Sequence, residues 1–154
     1  MNKKSKFKSI ELKTVENLKK LWDAFVLLKQ NGRIAIPDYL SEGILAHFLG
    51  AERIEGNGDL LLNDHVIEQK SSTSEKDGPS TFSRLFHSNT SVMFVQFHPS
   101  LDGRFDVYDI PNNLIMEIID PQKERGLTAF KVQMKKLIKD NNLFPTHKNV
   151  TIFS

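Results

Sequence analysis

From Asp59 to Lys70 the chain reads D-L-L-L-N-D-H-V-I-E-Q-K, and the dipeptide Asn63-Asp64 at its centre leaves few ways to fold it. Asn and Asp tolerate the left-handed backbone that a tight turn needs. The flanking runs, Asp59 to Leu62 and His65 to Ser71, read as extended, so the segment predicts a β-hairpin with a two-residue loop. Leu62 then pairs with His65, and each outward step conserves the sum of the residue numbers, which sets Asp59 opposite Glu68. Opposed residues share one sheet face with Cβ atoms about 4.5–5.5 Å apart. Lys70, two residues beyond Glu68, projects from the same face, whereas Leu60, Leu62 and Ile67 belong to the other and point to a core.

A hairpin alone is marginal in water and needs partners. Thr14 to Gln30 carries apolar residues at helical spacing (Val15, Leu18, Leu21, Trp22, Phe25, Leu28), with Thr14 as cap and Asn31-Gly32 as stop. A second helix is expected over Glu42 to Leu49, capped by Ser41 and ended by Gly50. Gly56-Asn57-Gly58 is a turn signal, and Ser72 to Ser80 reads as a polar surface loop. Phe82 to His87 is expected to form a short helical turn. Ser91 to His98 is the best buried strand and pairs with Arg104 to Ile110 across Asp102-Gly103. A short helix from Pro111 through Ile118, a final helix from Thr128 to Asn141 and a terminal strand from Val150 to Phe153 complete the reading. This order predicts a mixed α/β fold, a central mixed sheet flanked by helices, as one domain over 1–154 with residues 1–10 as a basic tail.

Composition narrows the function classes. The chain has no cysteine, which excludes disulfides and thiolate metal sites. No run approaches the roughly eighteen apolar residues of a membrane span. The charged N-terminus lacks the apolar stretch of a secretory signal, so a cytoplasmic setting is expected. Net charge is only +2, but Lys3, Lys4, Lys6 and Lys8 cluster at one end and Lys131, Lys135, Lys136 and Lys139 near the other. Such clusters permit phosphate neutralisation without establishing it, because a solvated tail and helix face is the commoner reading of each taken alone.

Chemistry concentrates on the charged face of the hairpin. Two carboxylates as close as Asp59 and Glu68 raise each other's pKa unless a cation lies between them. With no thiolate and no histidine pair at ligand spacing, an oxygen-only site suits Mg²⁺ or Mn²⁺ better than Zn²⁺. A hard cation beside an ammonium group such as that of Lys70 is the equipment of phosphodiester hydrolysis. The hydroxyl-rich run Ser71-Ser72-Thr73-Ser74 follows at once, and such side chains contact phosphates. Further candidates for DNA contact are Lys76, Arg84, Arg125, Lys131 and Lys135.

The pattern Asp59…Glu68-Gln69-Lys70 resembles the signature of the PD-(D/E)XK nuclease superfamily, with Gly58 where proline is usual. That resemblance implies a restriction-endonuclease-like fold, Asp59, Glu68 and Lys70 as catalytic residues, and Asp59 and Glu68 as Mg²⁺ ligands. Glu42 is the match for the acidic residue that members often carry on an N-terminal helix. A looser likeness, over Leu21-Trp22…Phe25, Ile36-Pro37…Leu40-Ser41-Glu42, Glu68-Gln69-Lys70-Ser71-Ser72 and Phe105 to Pro111, is to small type II restriction endonucleases cutting GC-N-GC sites. It implies a homodimer acting on palindromic double-stranded DNA, with a companion methyltransferase. Two alternatives share the same residues: a structure-selective nuclease such as a junction resolvase, and a non-catalytic DNA-binding protein.

Overall fold

The computed structural model describes residues 14–32, 34–54, 59–76, 78–83, 86 and 89–153. Helix α1 (Val15–Gln30) opens as its sequence dictates, with the Thr14 hydroxyl accepting from the Asn17 amide at 3.2 Å. Helix α2 (Asp38–Leu49) begins earlier than expected, with Pro37 in the capping position and Gly50 closing it in the left-handed region (φ 71°). Ser41 is therefore no cap. It lies inside the helix, fully buried, donating to the Asp38 carbonyl at 3.1 Å and facing Gln69.

Among the described residues the strands are β1 (Glu52–Arg53), β2 (Leu60–Leu62), β3 (His65–Ser72), β4 (Ser80–Ser83), β5 (Ser91–Phe97), β6 (Phe105–Ile110), β7 (Ala129–Val132) and β8 (His147–Val150). Six form a mixed sheet in the order β1-β2-β3-β5-β6-β8, and β4 pairs with β7 as a separate antiparallel ribbon. Every neighbour in the six-stranded sheet is antiparallel except β3 and β5. The β2–β3 hairpin has the expected register, Leu62 with His65 and Leu60 with Ile67. Its loop residues Asn63 and Asp64 both have positive φ, 48° and 65°, the requirement of a type I′ turn.

Both faces of the sheet are covered. On one face Val95 and Phe97 of β5 and Ile67 of β3 pack with Leu18, Trp22 and Phe25 of α1 and Ile44 of α2. On the other, Val92 and Phe94 pack with Phe82 of β4, Phe130 and Val132 of β7, and the helices α3 (Asn112–Glu124) and α4 (Met134–Asp140). This two-sided burial is why β5 reads as a continuous apolar run. Each fully buried large apolar side chain contributes roughly 1.5–3 kcal/mol. The mixed central sheet flanked by helices is the expected fold class.

Four further expected elements are corrected. The helix expected over Thr128 to Asn141 is strand β7 followed by the shorter α4, because Phe130 and Val132 are buried at a period of two between exposed Ala129 and Lys131. Phe82 belongs to strand β4 and pairs with Phe130; the rest of that expected turn lies partly outside the described residues. Helix α3 runs past Ile118 to Glu124, since fully buried Ile119 continues the apolar stripe set by Ile115. The terminal strand also lies earlier than expected, at His147–Val150 against β6.

Candidate active site

Strand β3 lies inside the sheet, and its alternation sends Ile67 and Gln69 to the α1–α2 face and Glu68, Lys70 and Ser72 to the face shared with β4. The Lys70 ammonium is 2.9 Å from Glu68 Oε1, donates to the Thr81 carbonyl at 2.6 Å and stands 4.7 Å from the centre of the Phe82 ring. Glu68 and Lys70 are only 16% and 18% exposed at the side chain, so this pair is largely shielded from solvent screening.

Asp59 lies one step beyond the last paired residue of β2. Its amide donates to the Ile67 carbonyl at 2.9 Å, and its carboxylate Oδ2 accepts the Gln69 amide at 2.7 Å. The carboxylate thus takes the place of a main-chain acceptor where the regular ladder stops. Burial, then the negative charge of Glu68, push its pKa up to about 7. The Gln69 amide opposes that rise, Glu42 adds to it and Lys70 opposes it again.

Glu42 reaches the same place from α2. Arg53, on β1, grips its Oε2 through Nη2 at 2.8 Å and Nε at 3.1 Å. Burial nevertheless raises the Glu42 pKa; Arg53 and a hydrogen bond from Asp59 work against it. Helix, edge strand and hairpin therefore deliver Glu42, Arg53, Asp59, Glu68 and Lys70 to one neighbourhood. Asp59 and Glu42 line a cleft of about 860 Å³, together with Lys70, Ser72, Lys76 and Lys29.

Among the described residues, no three acidic or imidazole side chains close around a single point as a ready metal cage. Mg²⁺ does not require one, because it is commonly held by one or two carboxylates with water and substrate phosphates. The donor set fits that habit. Asp59 and Glu68 are hard oxygen donors, and a cation between them would relieve the repulsion that adds to burial in raising the Asp59 pKa.

The remaining DNA-contact candidates fall in different places. Ser72 and Lys76 line the cleft. Thr73 also lines it but is only 7% exposed. Lys131 is exposed on β7, paired with Thr81, and Arg125 follows α3 as its C-cap; neither lines the cleft. Lys135 donates to the Ser74 and Lys76 carbonyls. Gly58 and Arg84 lie outside the described residues.

Arg53 and Gln69 escaped sequence reading. Gln69, 5% exposed, accepts from the Ser41 hydroxyl at 3.3 Å and so joins α2 to the hairpin. A glutamine between two charged residues resembles a surface residue until the strand is known to be covered on both faces. Arg53 carried no signal, since its partner lies on a helix eleven residues earlier. The chain matches no protein-family model, no curated protein and no solved structure.

Proposed function

We propose that this chain is a Mg²⁺-dependent endonuclease hydrolysing phosphodiester bonds of double-stranded DNA, a type II restriction enzyme of a restriction–modification system. The observation that carries the reading is Asp59: a carboxylate pushed to a pKa of about 7, between Glu68 and Glu42, on the wall of an open cleft with Lys70 alongside. Such a carboxylate is poised to exchange its proton for a metal ion. Asp59 and Glu68 hold Mg²⁺, with Mn²⁺ able to substitute, and Glu42 supports them from α2. When bound, the ion polarises a phosphoryl oxygen and lowers the pKa of water.

The protein's own groups do the rest. Lys70 is fixed by Glu68 and the Thr81 carbonyl, so its ammonium is preorganised to orient the attacking water and to balance charge developing on the phosphate. Displacement in line with the leaving oxygen gives a 5′-phosphate and a 3′-hydroxyl. A homodimer with one site per subunit, acting on a palindromic target and accompanied by a protective methyltransferase, completes the proposal. The test is incubation of the purified protein with plasmid and Mg²⁺, followed by sequencing of the fragment ends. Discrete cuts at one recurring sequence, lost in Lys70→Ala, support it. Cleavage confined to four-way junctions would replace the restriction reading with a structure-selective nuclease, and an intact plasmid with either metal would end the nuclease reading.

A further inference from the structure

The cleft lined by Asp59 and Glu42 is also lined by Ser72, Thr73, Ser74 and Lys76, and the backbone of this segment is tied down by hydrogen bonds to side chains. The Ser74 amide donates to Ser72 Oγ at 3.1 Å, and the Lys76 amide to Ser74 Oγ at 3.1 Å. The carbonyls are satisfied from elsewhere in the fold. Gln96 Nε2, on β5, lies 2.8 Å from Phe97 O, 3.2 Å from Ser72 O and 3.3 Å from Ser74 O, so its two N–H groups are shared among these three carbonyls. Lys135 Nζ, from the first turn of α4, donates to Ser74 O and, at 3.4 Å, to Lys76 O. Two side chains from separate elements thereby hold three alternate carbonyls, those of Ser72, Ser74 and Lys76, of one loop.

A loop held in this way loses little conformational entropy when a ligand arrives. Exposed Ser74 and Lys76, with Ser71 and Ser72, bring hydroxyls and an ammonium to the cleft, the chemistry that grips phosphate oxygens. Lys135 is engaged differently. Of the three N–H donors of an ammonium, Lys135 directs two at carbonyls of this loop.

We propose that Ser72 to Lys76 is the phosphate-gripping wall of the cleft with Lys76 as its charged contact, and that Gln96 and Lys135 are positioning residues that hold it without touching DNA. The proposal rests on the nuclease reading and adds to it a division of labour among the basic residues. It is tested by measuring binding of a fluorescent linear duplex against salt concentration, with Ca²⁺ in place of Mg²⁺, alongside trypsin cleavage after Lys76 in the DNA-free protein. Each lysine that meets a phosphate contributes about one unit to the slope of log K against log salt. Lys76→Ala is expected to weaken binding and flatten the slope by about one. Gln96→Leu, which changes no charge, and Lys135→Met are expected to weaken binding several-fold at unchanged slope and to speed trypsin cleavage; Lys135→Arg restores both. A slope flattened by Lys135→Met at unchanged trypsin sensitivity would make Lys135 a DNA contact and overturn the assignment. So would Gln96→Leu behaving as the parent protein in both assays. If the parent protein binds no duplex, the nuclease reading fails, while the trypsin rates still decide whether Gln96 and Lys135 hold the loop.

Discussion

Asp59 titrates near neutrality because burial and two acidic neighbours outweigh a backbone amide and a lysine. In the unfolded chain an aspartate has a pKa of about 3.9. Between those values the folded protein keeps a proton that the unfolded chain releases, so this residue's contribution to stability falls as pH rises from about 4 to about 7 and levels off above. Asp59→Asn, which keeps an oxygen for the Gln69 amide, is therefore expected to be more stable than the parent protein at pH 8 in EDTA, with the difference vanishing near pH 4; urea unfolding at the two pH values measures it. In the proposed metal site, proton and metal would compete for this carboxylate. The Mg²⁺ concentration giving half-maximal cleavage should fall as pH rises from 6 to 8, and a midpoint independent of pH would remove Asp59 from the metal site. At this scale the hairpin spacing made the meeting of Asp59, Glu68 and Lys70 legible in the sequence. It did not reveal that Asp59 leaves the ladder to bond the Gln69 amide, because that depends on where β2 ends.

Among the elements, α2 and the edge strand β1 are joined by Glu42 and Arg53, whose side chains are 12% and 22% exposed. Arg53→Met strands a shielded carboxylate. Glu42 can limit the damage by taking a proton, so the expected loss is about 1–3 kcal/mol at pH 7. Glu42→Gln made in the Arg53→Met background should cost less than Glu42→Gln alone, a coupling that a double-mutant cycle in urea reads directly. The ribbon of β4 and β7 matters because it carries Thr81 and Phe82 to Lys70. Phe130, 1% exposed, supports that ribbon from β7, and Phe130→Ala is expected to cost about 3–5 kcal/mol in thermal or urea unfolding. The hairpin, α1 and the β5–β6 pair follow from local patterns: a turn dipeptide, a helical stripe, and a run apolar on both faces. Strand β7 does not. Phe130, Met134, Leu137 and Ile138 satisfy helical spacing, and only pairing with a strand some fifty residues earlier selects the period of two. Its conformation is decided by tertiary contact rather than by its own sequence.

For the molecule as a whole, one sheet serves two apolar clusters, and the candidate site lies where the elements of both approach it. Glu42 comes from the helices over one face, Lys70 is held by the ribbon over the other, and Asp59 and Glu68 come from the hairpin between them. The arrangement explains how a chain with a net charge of only +2 can present a local concentration of acidic groups beside lysines. The claim at the centre of this account is that these acidic groups take up a divalent ion. Mn²⁺ binding in the presence of a duplex oligonucleotide, followed by electron paramagnetic resonance, tests it most directly. The parent protein should remove Mn²⁺ from the free signal, and Asp59→Asn and Glu68→Gln, each confirmed folded, should leave it free. A parent protein that leaves Mn²⁺ free, or variants that bind it as the parent does, would contradict the account.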